Sequence, residues 1–289
     1  MNNPAPLIAV VGATGLQGGS AADALLQRGI RVRALVRDPH SARAAALAGR
    51  GVELMSGDLS RPENLDALFT GADAAFAMST MNEPGGTAGE TAAGLAIADA
   101  AARTGLPHLL YGSVGGAERH TGIPPSEGKR RVEEHIRALG LHATLLRPVF
   151  LMENFLRVGV AVDERGLTVS LPLPDGVPLQ MVAVRDVGQA AAAILLGGTE
   201  AEGSAVEIGG DRRTGSQIAA AFGEAANLPA RYEELPVETV QGDTAAMFLW
   251  LAQTPAYQAD FDATRALVDG SGGPLDLAAW IRAVGWKAG

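Results

Sequence analysis

Gly12, Gly15 and Gly18 stand three residues apart, directly after the apolar run Leu7 to Val11. That spacing suits a sharp turn from strand to helix. The first glycine allows the turn, the second lets backbone approach a pyrophosphate, and the third lets helix and strand pack closely. The helix that follows would present unpaired first-turn N–H groups and the positive end of its dipole to an anion. An ordinary tight turn also uses glycine; the strand before and the helix after favour a dinucleotide site.

Other chemistry-bearing residues fall at the ends of the later apolar runs. Arg37 closes the second. An acidic residue there binds a ribose 2′-hydroxyl, whereas a guanidinium accommodates the extra phosphate of NADP as a bidentate fork. Here the acidic group is displaced to Asp38, and the alternative is an arginine simply exposed at a strand end. Asp58 follows the third run and either accepts from an adenine amino group or caps the next turn. Ser79 and Thr80 close the fourth, on the edge where ligands of such sheets bind, and also suit a plain turn.

Tyr111, Ser113 and Lys129 form the polar set around the fifth run and its following helix. A reductase needs a proton donor for the oxygen that hydride addition leaves behind and a group that holds the nicotinamide ribose. Ser113 and Lys129 are the candidates for these roles. The competing readings are a serine satisfying a strand end, and Lys129-Arg130-Arg131 as a solvated helix face partnered by Glu133 and Glu134. Pro125 occupies the position four before Lys129, so no Tyr-x-x-x-Lys pair exists.

The elements that position these residues alternate. Strands are expected at Leu7 to Val11, Arg31 to Arg37, Val52 to Met55, Ala74 to Met78, Leu109 to Ser113 and Ala143 to Leu146. Helices fill the intervals, one starting at Asp38-Pro39 and one at a capping box on Ser60 and Glu63. The alternation implies an α/β fold with a doubly wound parallel sheet. Residues 1–150 would form this Rossmann domain. Residues 178–208, with Leu179 to Val184 as a strand, a helix from Asp186 to Leu196 and a strand at Ala205 to Ile208, would rejoin it. Residues 151–177 and 209–289 would form a smaller, mostly helical cap, with a short helix from Met152 to Val160 and Trp250, Trp280 and Trp286 in its packing.

Composition narrows the function. Lys and Arg total 23 against 32 Asp and Glu, a net charge of −9, which disfavours unassisted nucleic-acid binding. The chain has no cysteine, so disulfides, thiolate metal sites and thiol catalysis are excluded, in keeping with a cytoplasmic protein. Its five histidines are scattered and no metal is expected. No apolar run approaches the roughly 20 residues that span a bilayer, and Met1-Asn2-Asn3-Pro4 lacks the character of a signal peptide.

The string Gly12 to Gly19, with Arg37, Gly57-Asp58, Lys129 within Glu127-Gly128-Lys129, and Arg147-Pro148 through Met152-Glu153-Asn154-Phe155, resembles the NmrA-like family of atypical short-chain dehydrogenase/reductases. The likeness runs through about the first 160 residues. It implies NADP(H) held by Gly12, Thr14, Gly15, Leu16 and Gln17, with Arg37 on the 2′-phosphate. It further implies Asp58 and Leu59 at the adenine, Ser79 and Thr80 at the cofactor's middle, Lys129 at the nicotinamide ribose, and Leu151, Met152, Glu153 and Asn154 beside the nicotinamide. The family includes quinone oxidoreductases and sensors that bind cofactor without turnover. The expected activity is therefore NADPH-dependent reduction of a small molecule, a quinone or similar conjugated carbonyl. The alternative is a redox sensor with a regulatory protein partner, in either case as a monomer or dimer.

Overall fold

The structure, a computed structural model, describes residues 5–197, 203–253 and 255–288. The Met1-Asn2-Asn3-Pro4 segment lies outside them. Seven parallel strands make the central sheet: β1 (Leu7–Val11), β2 (Arg31–Val36), β3 (Glu53–Ser56), β4 (Ala74–Ala77), β5 (Leu109–Gly112), β6 (Ala143–Pro148) and β11 (Ala205–Ile208). Their order is β11-β6-β5-β4-β1-β2-β3, so the chain reverses direction across the sheet between β1 and β4. In an open α/β sheet that reversal opens a crevice at the carboxyl ends of the strands, where ligands bind.

β1 is buried along its whole length and shows why the sheet must be covered on both faces. Ile8 and Val10 join the core beneath α1 (Leu16–Gln27) and α6 (Val184–Leu195), while Ala9 and Val11 join the core beneath α3 (Pro62–Phe69), α4 (Thr87–Thr104) and α5 (Pro124–Ala138). Alternate residues of a strand point to opposite faces, so one apolar run feeds two cores.

Several expectations are corrected. The strand at Leu179 does not rejoin the seven-stranded sheet: β10 (Leu179–Val182) pairs with β7 (Phe150–Leu151) and β12 (Asp211–Arg213) in a sheet of its own. Only α6 and β11 return to the Rossmann layers. The cap carries a further small sheet, β8 (Val160–Asp163), β9 (Gly166–Leu171) and β13 (Ala230–Glu234), beside helices α7 (Gly215–Ala226), α8 (Gly242–Leu251), α9 (Phe261–Val268) and α10 (Leu277–Ala283). The helix expected from Met152 to Val160 is a short 3₁₀ turn, Met152–Leu156, that gives way to β8. α2 (Ala42–Ala48) starts after Ser41, whose hydroxyl accepts from the Ala44 N–H, rather than at Asp38. The Ser60 capping box does not form. Arg61 precedes α3 without a side-chain cap, and the Ser60 hydroxyl turns back to Asp58.

The cap is held by an aromatic chain. Phe150, Phe155, Phe222 and Trp280 follow one another at 5.5, 5.6 and 6.5 Å between ring centroids, and Trp286 meets Phe222 at 4.9 Å. Trp280 is buried, as the packing role expected for it requires, together with Phe248, Leu277 and Ile281.

Candidate active site

At the end of β1 the chain turns on Gly12, whose φ of +78° is the left-handed region that glycine adopts without penalty. The Gly15 N–H closes the turn on the Gly12 carbonyl at 2.8 Å. Gly18 packs so closely on the turn that a Cβ there would lie 2.3 Å from that same oxygen. α1 then begins with no side-chain cap and no acidic residue in its first turn, so its leading N–H groups face the crevice without a side-chain acceptor. Leu16 is exposed, and the Gln17 Oε1 is buried with no partner. A bare helix start of this kind is a ready anion site, and it fits the pyrophosphate of a dinucleotide.

Two guanidinium groups stand on the β2 side of the turn. Arg37 is exposed one residue past β2 and makes no ion pair among the described residues. Arg43 reaches back from the first turn of α2 to the Thr14 carbonyl at 3.2 Å. Sequence reasoning missed Arg43 because it started that helix at Asp38; placing its cap at Ser41 would have put Arg43 beside the loop. Asp58 uses one carboxylate oxygen on its own turn, accepting from the Ser60 N–H at 2.9 Å, and its hydrogen bonds to Ser60 hold it below the usual carboxylate range. That oxygen caps the turn, while the second makes no hydrogen bond among the described residues. Leu59 lies half-buried beside it.

β4 continues the edge. Met78 lies against Gly12 and Gly112, and Ser79 behind it is buried, with Thr80 half-exposed. Here Lys129 comes in from α5, and it is no part of a solvated face. Its ammonium is buried. It donates to the Ser79 carbonyl at 2.7 Å and the Gly112 carbonyl at 3.3 Å, lies 3.4 Å from both the Ser79 and Tyr111 hydroxyls, and pairs with Glu90 at 3.2 Å. Glu90, contributed by α4, is itself buried, and its second oxygen has no partner. A cation is thus locked onto the carboxyl ends of β4 and β5 by a counter-charge that sequence reading did not find.

Ser113 is engaged elsewhere. Its hydroxyl donates to Glu133 at 2.6 Å, inside a buried cluster in which Arg147 also holds Glu133 through its Nε at 2.9 Å and reaches Glu118 at 2.6 Å. A serine has one proton, and this one points at a carboxylate. Leu151 pairs with Val182, Met152 is fully buried, and the Asn154 carbonyl accepts the Arg157 and Val158 N–H groups. The Glu153 carboxylate accepts from the Val184 N–H at the start of α6 and from the Trp280 indole, both within 3.1 Å. Burial pushes its carboxyl above the ordinary range, against the pull of those two donors. Glu153 thus ties the cap to α6. Among the described residues no cluster of His, Asp and Glu is placed to hold a metal, and no helix is long and apolar enough to cross a membrane.

Comparisons with known proteins agree with this architecture. The chain is 38% identical over 167 residues to the NmrA-like family domain-containing oxidoreductase FrzB of Cladobotryum sp., covering 54% of this chain and 49%, about half, of that relative. It is 31% identical over 241 residues, 81% of this chain and 79% of the relative, to the (4-alkanoyl-5-oxo-2,5-dihydrofuran-3-yl)methyl phosphate reductase of Streptomyces griseus subsp. griseus. The crystal structure of NmrA, a negative transcriptional regulator, in complex with NADP superposes with a TM-score of 0.82 at 26% identity, covering 98% of this chain and 96% of that one. The NmrA-like family profile matches residues 4–267. With that match, and with a Rossmann sheet whose glycine turn, bare helix start and buried lysine share one edge, the chain belongs to the NmrA-like family.

Proposed function

We propose that this protein is an NADPH-dependent reductase of a quinone or similar conjugated carbonyl. The observation that carries the reading is the shared edge: the bare start of α1 and the buried Lys129 ammonium lie on the same carboxyl ends of the sheet, joined by Met78 and Ser79. Gly12, Thr14, Gly15, Leu16 and Gln17 would take the pyrophosphate on backbone N–H groups, and Arg37 with Arg43 the 2′-phosphate. Asp58 and Leu59 would border the adenine, and Ser79 and Thr80 the middle of the dinucleotide. Lys129 would hold the nicotinamide ribose, with Leu151, Met152 and Asn154 on the far side.

NADPH supplies a hydride when bound; the rest is the protein's work. Lys129 fixes the ribose because Glu90 and the Ser79 carbonyl hold its ammonium in place. Ser113, whose hydroxyl donates to Glu133, has no second proton to give. No acid chain is needed for a quinone, since water protonates a quinol oxygen. The Streptomyces relative supports the acceptor class: the substrate it is named for is an unsaturated lactone bearing an acyl group, an electrophile conjugated as a quinone is.

A second reading, a cofactor-binding regulator without turnover, is favoured by the likeness to NmrA and by the exposed Leu156, Val158 and Val162 at the start of the cap, apolar surface on which a partner protein would dock. Steady-state oxidation of NADPH against a panel of quinones and enones separates the two. Turnover of roughly 1 per second or faster with NADPH preferred is expected of the reductase. Tight NADPH binding with no turnover of any acceptor would replace it with the regulator.

A further inference from the structure

The chain has three tyrosines. The Tyr111 hydroxyl lies 3.1 Å from the Ser79 Oγ, and that of Tyr232 donates to the Leu171 and Leu173 carbonyls. The Tyr257 hydroxyl has no hydrogen-bond partner among the described residues, although the side chain is only 8% exposed. The ring is covered but the hydroxyl oxygen itself reaches solvent, so its proton is free to meet a ligand.

Its position suggests which ligand. The Tyr257 ring packs against Gly115, where a Cβ would meet two ring carbons at 2.9 Å. The Gly115 N–H is bonded to the Pro148 carbonyl at 2.9 Å, so the ring covers the carboxyl ends of β5 and β6. Trp250 meets Tyr257 edge-on at 5.2 Å and occupies the space above Gly116. Glu207 of β11 pins the surroundings, accepting from the Gly116 N–H at 3.1 Å, the Gln258 N–H at 2.6 Å and the Arg119 Nη2 at 2.6 Å. Two glycines and one carboxylate thus hold a cap tyrosine over the sheet.

In a doubly wound sheet the two halves of a dinucleotide lie on either side of the reversal point. Arg37 and Asp58 mark the β2–β3 half for the adenosine, which leaves the β4–β6 half, under Tyr257, for the reacting ring and the acceptor. We propose that the Tyr257 hydroxyl is the hydrogen-bond donor to the carbonyl oxygen of a planar conjugated acceptor, seated between the cap and the ends of β5 and β6. This rests on the reductase reading above. As hydride adds to the acceptor, the displaced electron pair settles on the carbonyl oxygen and the Tyr257 O–H donates to it. The proton that completes the product comes from water, so the tyrosine ends as it began. Burial pushes this hydroxyl well above the ordinary tyrosine range; the Glu207 carboxylate adds to that and the Arg119 guanidinium opposes it. It therefore keeps its proton throughout the neutral range and acts as a donor.

The test uses menadione as the probe. Its affinity for the full-length protein with NADP⁺ is read from quenching of tryptophan fluorescence, and its reduction from NADPH oxidation, in the native chain and in Tyr257→Phe. Removal of the hydroxyl is expected to weaken menadione binding about 5- to 30-fold, to lower kcat by at least as much, and to leave NADPH affinity within about twofold. Tyr232→Phe, which loses a hydroxyl bonded inside the cap, is expected to bind menadione as the native chain does. Equal menadione affinity and kcat in the native chain and Tyr257→Phe would overturn the proposal, and so would a native chain that does not bind menadione. If the native chain binds menadione but turns over no acceptor, the reductase reading fails alone, and the affinity comparison still decides whether the hydroxyl makes the contact.

Discussion

The start of α1 and the starts of three cap helices, α7, α9 and α10, solve the same problem in opposite ways. α7 begins on Thr214, which forms a full capping box with Gln217; α9 begins on Asp260, whose carboxylate accepts from Asp262 and Ala263; α10 begins on Asp276, which accepts from Ala279 at 2.7 Å. Each of these side chains satisfies N–H groups that would otherwise be orphans, a contribution of about 1 kcal/mol apiece. α1 begins on Gly15 and has nothing. These three cap helices spend their starts on stability, whereas α8 of the cap and α1 of the Rossmann layer begin without a side-chain cap, and only α1 does so directly after the glycine turn at the carboxyl edge of the sheet. The same contrast holds for charge: Arg185 is paired with the buried Asp186 beneath the cap, while Arg37 stands unpaired at the edge of the crevice. An open helix start that follows a glycine turn, with an unpaired guanidinium on the same sheet edge, suits an anionic ligand.

The sharpest way to break this contrast is to fill the open helix end. Gly15→Val is expected to lower NADPH affinity roughly 100-fold or more, through loss of at least two charged hydrogen bonds from backbone, while circular dichroism and the thermal midpoint stay near native. Retained affinity would remove the pyrophosphate from α1. Lys129→Met is expected to cost about 3–5 kcal/mol in urea unfolding, because it leaves Glu90 charged and buried without its partner, and also to weaken NADPH binding. Adding Glu90→Gln should restore much of the stability but not the affinity. A single variant with native stability would mean the pair is not closed in solution.

Arg37→Ala is expected to cost about 1.5–3 kcal/mol of the preference for NADPH over NADH, measured as the ratio of their dissociation constants. An unchanged ratio would assign the 2′-phosphate to Arg43 alone. On the other side of the contrast, Thr214→Ala should lower stability by about 1 kcal/mol and leave cofactor affinity untouched. The smallest effect concerns Glu153. Burial raises its carboxyl in the folded chain, and a group raised on folding stabilises at low pH and loses that contribution as pH climbs through its folded value. The melting-temperature advantage of the native chain over Glu153→Gln is therefore expected to be larger at pH 5 than at pH 8; an advantage that grows with pH would contradict the burial argument.

The parts of the molecule legible in the sequence are those whose signals are local. The Gly12 turn, the buried β1 and the strand-end Arg37 each depend on a few consecutive residues, and they stand where their spacing put them. The parts that escaped depend on partners far along the chain. Nothing in Glu127-Gly128-Lys129-Arg130-Arg131 distinguishes the buried cation from its solvated neighbours, because the carboxylate that selects Lys129 comes from α4. Ser113 reads as a free hydroxyl until α5 folds Glu133 against it. β10 looks like one more sheet strand, and only pairing with β7 and β12 shows that it belongs to the cap. Tyr257 carries no motif at all; two glycines after β5 were the trace it left, and glycine-rich loops have many other causes.

The most direct test of the whole account is calorimetric titration of the native protein with NADPH and, in parallel, with NADH. Saturable binding of one NADPH per chain, tighter than NADH and abolished by Gly15→Val in a folded protein, is the result predicted from the open start of α1 and the unpaired Arg37. A native chain that takes up neither nucleotide, or one whose NADPH affinity survives a blocked helix end, would contradict it.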